Sequence, residues 1–421
     1  MMQGMAEPDV SGLLTVQQAI RIIDAAEVQP RVVRVPLDQA AGLRLAAPLL
    51  ADRDYPPFDR SLMDGYAVRV ADLSSDGATL RVVGEVAAGQ WPQQRLQQGE
   101  TVAIMTGAPV PEGADGVVPV EDVEKTEDTA RILRNPGARR YVAARGSDCP
   151  AGKTVLAAGT MLGPAQIAVA ASVGAAQVEA FARPKIAVLA TGDELVPVGV
   201  EPGPSQIRNS NSPMLVALLR RMGCEVDDLG AAPDRPEALR EAMLRGLEHD
   251  ALFVSGGMSL GTYDYVPRLL AELGAELKLT KLRIKPGKPF IFARVPLAAN
   301  PEHRCYVFGL PGNPVSAFVC TVRLASRLLA RMAGGTPHER WLTGRMDVGL
   351  PANGPREFYQ PAVRTTTPGI SSAKGEFATI VPLGWKGSAD VFTLAAANVL
   401  LVRGENEPPL PKGTVVRVLE V

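Results

Sequence analysis

Residues 251–266 read ALFVSGGMSLGTYDYV. A short apolar run stops at Ser255. Gly256, Gly257 and Gly261 follow, with hydroxyls at Ser255 and Ser259, and then a lone acid, Asp264, between two tyrosines. A run of this length bounded by glycines reads as a buried strand. The next stretch, DYVPRLLAELG (264–274), has helical spacing with Pro267 in its first turn. Strand, bare loop, helix is the unit of an α/β sheet, and the same rhythm extends on both sides. KIAVLA (185–190), CEVDDLG (224–230) and YVFGL (306–310) read as strands. SPMLVALLRRMG (212–223), with Ser212 as N-cap and Pro213 in its first turn, reads as a helix. So do RPEALREAMLRGLEHD (235–250) and PVSAFVCTVRLASRLLARM (314–332). The alternation predicts right-handed βαβ units around a mainly parallel sheet.

Outside 184–332 the texture changes. TVQQAIRIIDAAE (15–27) predicts a helix capped by Thr15. Between 52 and 148, runs such as TLRVVGEV (79–86) and ETVAIM (100–105) predict short strands. GARRYVAARGSDCPAG (137–152) reads as a charged loop and PAQIAVAASVG (164–174) as a small-residue helix. After GGTP (334–337) short strands return, ending in TVVRVLEV (414–421), which predicts a terminal β-domain. A chain of 421 residues exceeds one ordinary core, and two to four domains are expected. With 44 Lys plus Arg against 45 Asp plus Glu, no broad field draws the chain to nucleic acid or a membrane. Four cysteines and three histidines are scattered and make no zinc pattern. The first residues carry no basic and apolar leader pattern, and no apolar run is long enough to span a bilayer. The expectation is a cytoplasmic protein with reduced thiols.

Ligands of open α/β sheets bind at the carboxyl ends of strands. Three loops stand there: TGDEL (191–195), SGGMSLGTYD (255–264) and LPGNP (310–314), the last with Asn313 as N-cap and Pro314 opening a helix. KPGKP (285–289) brings Lys285 and Lys288 round a tight turn. Glycines let backbone N–H groups approach an oxyanion, hydroxyls at Ser255 and Ser259 add donors, and lysines add charge. The rim suits a phosphate-like anion. Glu194 and Asp264 together suit Mg²⁺, which takes one or two carboxylates with phosphate oxygens and water. Each motif alone also has a plain structural use as turn or cap. GxGxxG and GxxxxGK[ST] are missing from the βα turns, which argues against a dinucleotide fold or a P-loop.

TGDEL, QIRNSN (206–211), SGGMSLGTYDY, IKPGKPF and GLPGNPVSAF, in this order, resemble the molybdopterin molybdotransferases, the MoeA/gephyrin E-domain family. FDRSLMDGYAV (58–68), IMTGAPVPEGADGVV (104–118) and RGSD (145–148) resemble its upstream segments. The resemblance implies a multidomain chain: a split helical, elongated domain at 1–51 and 149–183, a β-rich insertion at 52–148, an α/β molybdopterin-binding domain of MoaB/Mog-like type at 184–333, and a β-barrel-like domain at 334–421. It implies a homodimer in which the α/β domain of one subunit faces the inserted domain of the other. The implied reaction is Mg²⁺-dependent insertion of molybdate into adenylylated molybdopterin, releasing AMP. Implied partners are those two substrates, a second copy and other enzymes of molybdenum-cofactor biosynthesis. Asp64, Thr106, Asp148, Glu194, Asp250 and Asp264 carry over as catalytic. Glu194 and Asp264 carry over as metal-associated. Ser255, Gly256, Gly257, Ser259, Lys285, Lys288, Pro311, Gly312, Asn313, Ser316, Arg356 and Ser388 carry over as substrate-binding. The chain departs from the family pattern at Ala143 and Ala144, where arginines are common, leaving Arg139, Arg140 and Arg145 nearby to compensate. It also departs around PREFYQP (355–361) and KGSADVFTLAAAN (386–398), so an oxyanion contact from the terminal domain stays open. Alternative readings are a scaffolding protein on the same fold, a molybdopterin-adenylylating enzyme, which lacks the outer domains, and the tungsten-inserting equivalent.

Overall fold

The computed structural model describes residues 12–74, 77–258, 265–297, 300–365 and 377–421. By internal contacts the chain forms two compact units, 34–180 and the remainder.

The larger unit holds a six-stranded sheet. Its strands are β1 (Lys185–Thr191), β2 (Glu225–Ala232), β3 (Ala251–Ser255), β4 (Glu276–Lys281), β5 (Pro289–Leu297) and β6 (Asn300–Leu310), in the order β2-β1-β3-β6-β5-β4. β2, β1, β3 and β6 are parallel, and β5 and β4 are antiparallel additions. The mainly parallel sheet is as expected; the hairpin partner β5, which follows KPGKP directly, is an element the sequence reading did not assign. Every residue of β3 is buried, as a strand covered on both faces must be. α1 (Val16–Asp24) packs Val16, Ala19, Ile20 and Ile23 into the core on one face of this sheet. Thr15 and Gln18 cap it reciprocally. α2 (Asn211–Arg221) begins one residue before the predicted start, because the Asn209 side chain accepts from Ser212 N at 3.1 Å and takes over the capping. α3 (Pro236–Gly246) stops short of 250. At Gly246 a Cβ would fall 2.5 Å from Leu252 of β3. α4 (Tyr265–Glu272) packs Val266, Leu269 and Leu270 into the core on the other face. The predicted helix 314–332 is continuous, as α5 (Pro314–Cys320), a π-helical turn Thr321–Ala325 and α6 (Ser326–Met332).

β7 (Trp341–Met346), β8 (Glu357–Thr365), β9 (Thr379–Pro382), β10 (Val399–Arg403) and β11 (Val415–Glu420) close on themselves in the order β7-β11-β10-β8-β9. This is the expected terminal barrel. A buried ionic network joins it to the helices. Arg323, 3% exposed, pairs with Glu339 and donates to Tyr359 Oη at 2.7 Å. Arg327 bridges Glu339 at 3.0 Å and Asp24 of α1 at 2.6 Å. Burial holds the Tyr359 phenol well above its ordinary pKa, so it stays a neutral partner of the guanidinium, and burial also raises that of Glu357.

The 34–180 unit carries its own six-stranded sheet, in the order Gly116–Pro119, Gly65–Val68, Glu100–Ile104, Ala78–Val86, Thr129–Ile132, Val123–Lys125. Both predicted strands, 79–86 and 100–105, are in it. A separate small core of Ala40, Leu43, Leu45, Leu162, Val178 and Ala180 lies outside this sheet. Among the described residues, no helix is long and apolar enough to cross a membrane.

Candidate active site

Three strand ends meet at one edge of the central sheet. β3 lies between β1 and β6, and Ser255 is in register with Ala190 on one side and Leu310 on the other. The loops that leave these strands touch. Gly256 N donates to Leu310 O at 3.1 Å. Gly256 has φ +101°, and a Cβ there would fall 2.4 Å from Thr191 O. Only glycine lets the chain turn across the end of β1 at this distance. Gly312 lies against Gly256 in turn. Pro311 is buried and Ser255 is 2% exposed. Behind these loops Asn211, 8% exposed, donates to Ser255 Oγ and to Gly312 O, both at 2.7 Å.

On the β1 side, Thr191 donates its hydroxyl to Asp234, whose N–H donates to Asp193 Oδ1 at 3.0 Å. Glu194 is exposed and its carboxylate folds back over Gly192.

The KPGKP turn is seated on the inner face of α5. Leu282 N donates to Lys288 O at 3.0 Å and closes the turn. Gly287 has φ +121°, and a Cβ there would meet Cys320 Sγ at 2.6 Å, with Ser316 O at 3.9 Å. Ser316 itself is buried at 3% exposure. The short strand Ile284–Lys285 runs parallel to the start of β8, with Lys285 opposite Phe358. Lys285 Nζ sits 4.6 Å over the Phe358 ring. Burial first, then the charge of Arg356, lowers the Lys285 pKa, and burial lowers that of Arg356. Among the described residues no carboxylate pairs with Lys285, Lys288 or Arg356. Asn313 stands at the N-cap position, but its side chain donates to Ser388 Oγ at 2.9 Å, while Ser388 O accepts from Val315 N at 3.0 Å. Arg356 and Ser388 of the terminal barrel therefore reach this edge.

One predicted catalytic residue lies elsewhere. Asp250 sits at the amino end of β3, where its carboxylate accepts from Lys185 N at 2.7 Å. The whole strand separates it from Ser255, and it acts as a tie between two strand starts. Ser259 and Asp264 lie outside the described residues.

In the 34–180 unit, Asp64 Oδ1 accepts from both Thr106 N and Thr106 Oγ1 at 2.7 Å. The backbone bond, then the hydroxyl, lowers the Asp64 pKa and keeps it ionised. Asp148 pairs with Arg60 at 3.2 Å. The neighbouring Ser61 accepts from Gly107 N at 2.8 Å, so all three predicted residues gather about one short segment. Arg139 is held by Asp59 at 2.6 Å and Arg145 by Asp54 at 2.7 Å, so neither guanidinium stands in freely for the arginines replaced by Ala143 and Ala144.

Sequence reasoning missed Asn211, Arg60 and the Thr191–Asp234 pair. Asn211 lies in QIRNSN but reads from sequence as an ordinary helix-start residue.

The arrangement is a set of glycine loops and cationic side chains at one edge of an α/β sheet, with residues of a β-barrel beside it. Its relatives share the whole plan. Residues 14–174 match the MoeA N-terminal region (domain I and II), 187–331 a probable molybdopterin binding domain, and 343–421 the MoeA C-terminal region (domain IV). A molybdopterin molybdenumtransferase of Nostoc sp. is 33% identical over 394 residues, covering 92% of this chain and 88% of that protein. One from Haemophilus influenzae is 36% identical over 325 residues, covering 76% and 78%. The crystal structure of a molybdopterin biosynthesis MoeA protein from Pyrococcus horikoshii matches with a TM-score of 0.80 at 26% identity, over 97% of this chain and 100% of that one. The chain belongs to the molybdopterin molybdenumtransferase family.

Proposed function

We propose that this protein inserts molybdenum from molybdate into adenylylated molybdopterin, with release of AMP. The observation that carries the reading is geometric: the pairing of Ile284–Lys285 with Glu357–Phe358 sets Lys285 over the Phe358 ring and brings its charge against that of Arg356, with no carboxylate partner for either among the described residues. Two neighbouring like charges repel, and a dianion between them turns that repulsion into attraction. Lys288, Ser316 and Ser388 complete the set we assign to molybdate. The glycine loops of β3 and β6 are assigned to the pterin phosphate and pyrophosphate, where backbone amides stabilise charge as the bond breaks. Asp64, Thr106 and Asp148 we assign to substrate contacts of the 34–180 unit.

For Mg²⁺ we assign Glu194 together with Asp264, the latter from the sequence alone. Glu194 is an exposed carboxylate at the strand edge, and with Asp264 it would hold a hard ion completed by phosphate oxygens and water. When bound, the ion would neutralise pyrophosphate charge. We also read the protein as a cytoplasmic homodimer; all four cysteines are free thiols, and sedimentation should give twice the 44.5 kDa chain mass. The four-part division 1–51 with 149–183, 52–148, 184–333 and 334–421 is retained, with α1 packed on the α/β domain.

The test is turnover of adenylylated molybdopterin with molybdate and with tungstate at matched concentrations, following AMP. Lys288→Ala should raise the molybdate requirement at least tenfold, about 1.4 kcal/mol, and leave pterin affinity nearly unchanged. An equal loss of pterin affinity moves the lysine to the pterin phosphate. Wild-type protein that releases no AMP overturns the reading.

A further inference from the structure

Asn211 stands where no assigned role uses it. It is the first residue of α2, and its side chain is 92% removed from solvent, being 8% exposed. Its amide nitrogen has two hydrogens, and both are spent. One goes to Ser255 Oγ at the end of β3, the other to Gly312 O in the loop after β6, each at 2.7 Å. The orientation is set by chemistry, because the Gly312 carbonyl can only accept and the group facing it must be the NH₂. The amide oxygen is thereby committed to the remaining direction. Among the described residues, Asn211 Oδ1 is a buried acceptor with no hydrogen-bond partner. A buried polar atom left unmatched in a functional edge calls for an occupant that supplies the missing donor.

We propose that Asn211 is a positioning residue for the bound adenylylated pterin: it clamps the β3 and β6 loops together, and its Oδ1 accepts a hydrogen bond from an N–H or O–H group of that ligand. Pterin and ribose both carry such donors, while molybdate and ionised phosphates carry none. The clamp sets the spacing between Gly256 and Gly312, which a Cβ on Gly312 would approach to 3.7 Å. The acceptor makes the same edge selective for a neutral donor group beside the anion. The inference rests on the functional reading above and deepens it.

The experiment is calorimetric binding to the full chain, without turnover, using AMP, molybdopterin and molybdate as separate probes, with melting curves alongside. Asn211→Ala should weaken at least one donor-bearing probe tenfold or more and leave molybdate within twofold. Loss confined to AMP places the partner on the ribose or base, and loss confined to molybdopterin places it on the pterin. Asn211→Asp keeps an acceptor but sets a carboxylate against Gly312 O, so it should fall between Ala and wild type. Ser255→Ala removes one acceptor of the clamp and leaves Oδ1 in place; a loss of threefold or less is expected, and it serves should Asn211→Ala not fold. Asn211 variants that melt earlier yet bind all three probes as wild type overturn the proposal alone. So does a Ser255→Ala loss equal to that of Asn211→Asp. Wild type that binds none of the probes overturns the functional reading and this inference with it.

Discussion

The two sets of polar side chains in this molecule are held in opposite ways. At the edge of the central sheet they are built into the fold: Ser255, Ser316 and Asn211 are buried, and their loops turn on glycines that touch neighbouring backbone. In the 34–180 unit, Asp64, Thr106 and Asp148 are exposed and held by each other or by a surface ion pair. The first arrangement ties function to stability. The second leaves the side chains free to change without disturbing a core.

The largest effect should come from the buried network that shares the first arrangement. Arg323→Ala takes the guanidinium donor from Tyr359 and leaves Glu339 with Arg327 and Trp341 alone, and it should cost about 3–5 kcal/mol in chemical denaturation, as expected when one partner of a buried pair is removed. A loss under about 1 kcal/mol would show that solvent reaches this network. Next comes Gly256→Ala. A positive φ and a 2.4 Å approach to Thr191 O should together cost about 2–4 kcal/mol. Wild-type stability in that variant would mean that the edge is looser than its geometry states. Asp64→Asn should change stability by no more than about 0.5 kcal/mol, as exposed substitutions do, while AMP release drops at least tenfold. A melting loss comparable to that of Gly256→Ala would erase the contrast between the two sets.

The smallest effect concerns pH. Asp390 accepts from Thr393 Oγ1 at 2.7 Å and from Thr393 N and Lys386 N at 3.0 Å, which lowers its pKa to about 2. A depressed carboxyl contributes stability fully above its unfolded value of 3.8 and loses it as pH falls through about 2. Wild type and Asp390→Asn should therefore differ in stability at pH 5 and converge at pH 2. A constant difference across that window would assign the effect to shape and not to charge.

The central sheet was legible because its strands are apolar runs ended by glycine and its helices carry capping signals. Thr15 with Gln18 is the plainest case. β5 was missed because KPGKP drew the reading to its turn, and a strand antiparallel to its neighbour breaks the expected βαβ rhythm. The glycine loops were legible as neighbours because each directly follows a strand of one sheet, which brings their ends to one edge. Asp250 misled because an acid next to a strand looks the same at either end of it. Asn211 was invisible as a site residue, since its partners are 44 and 101 residues away and only the fold brings them to it.

The strand Ile284–Lys285 is two residues long and pairs with the barrel, not with the sheet that flanks it. It has no partner until Glu357 and Phe358 have been made and folded, more than 70 residues further along the chain. Lys285 thus acquires its aromatic seat and its neighbour Arg356 only at the close of folding. A chain emerging from the ribosome would complete its α/β layer first and seat Lys285 last. A truncated product ending before the barrel would keep Lys285 and Lys288 but lose Phe358, Arg356 and Ser388, so partial chains should hold a dianion less tightly than the full chain.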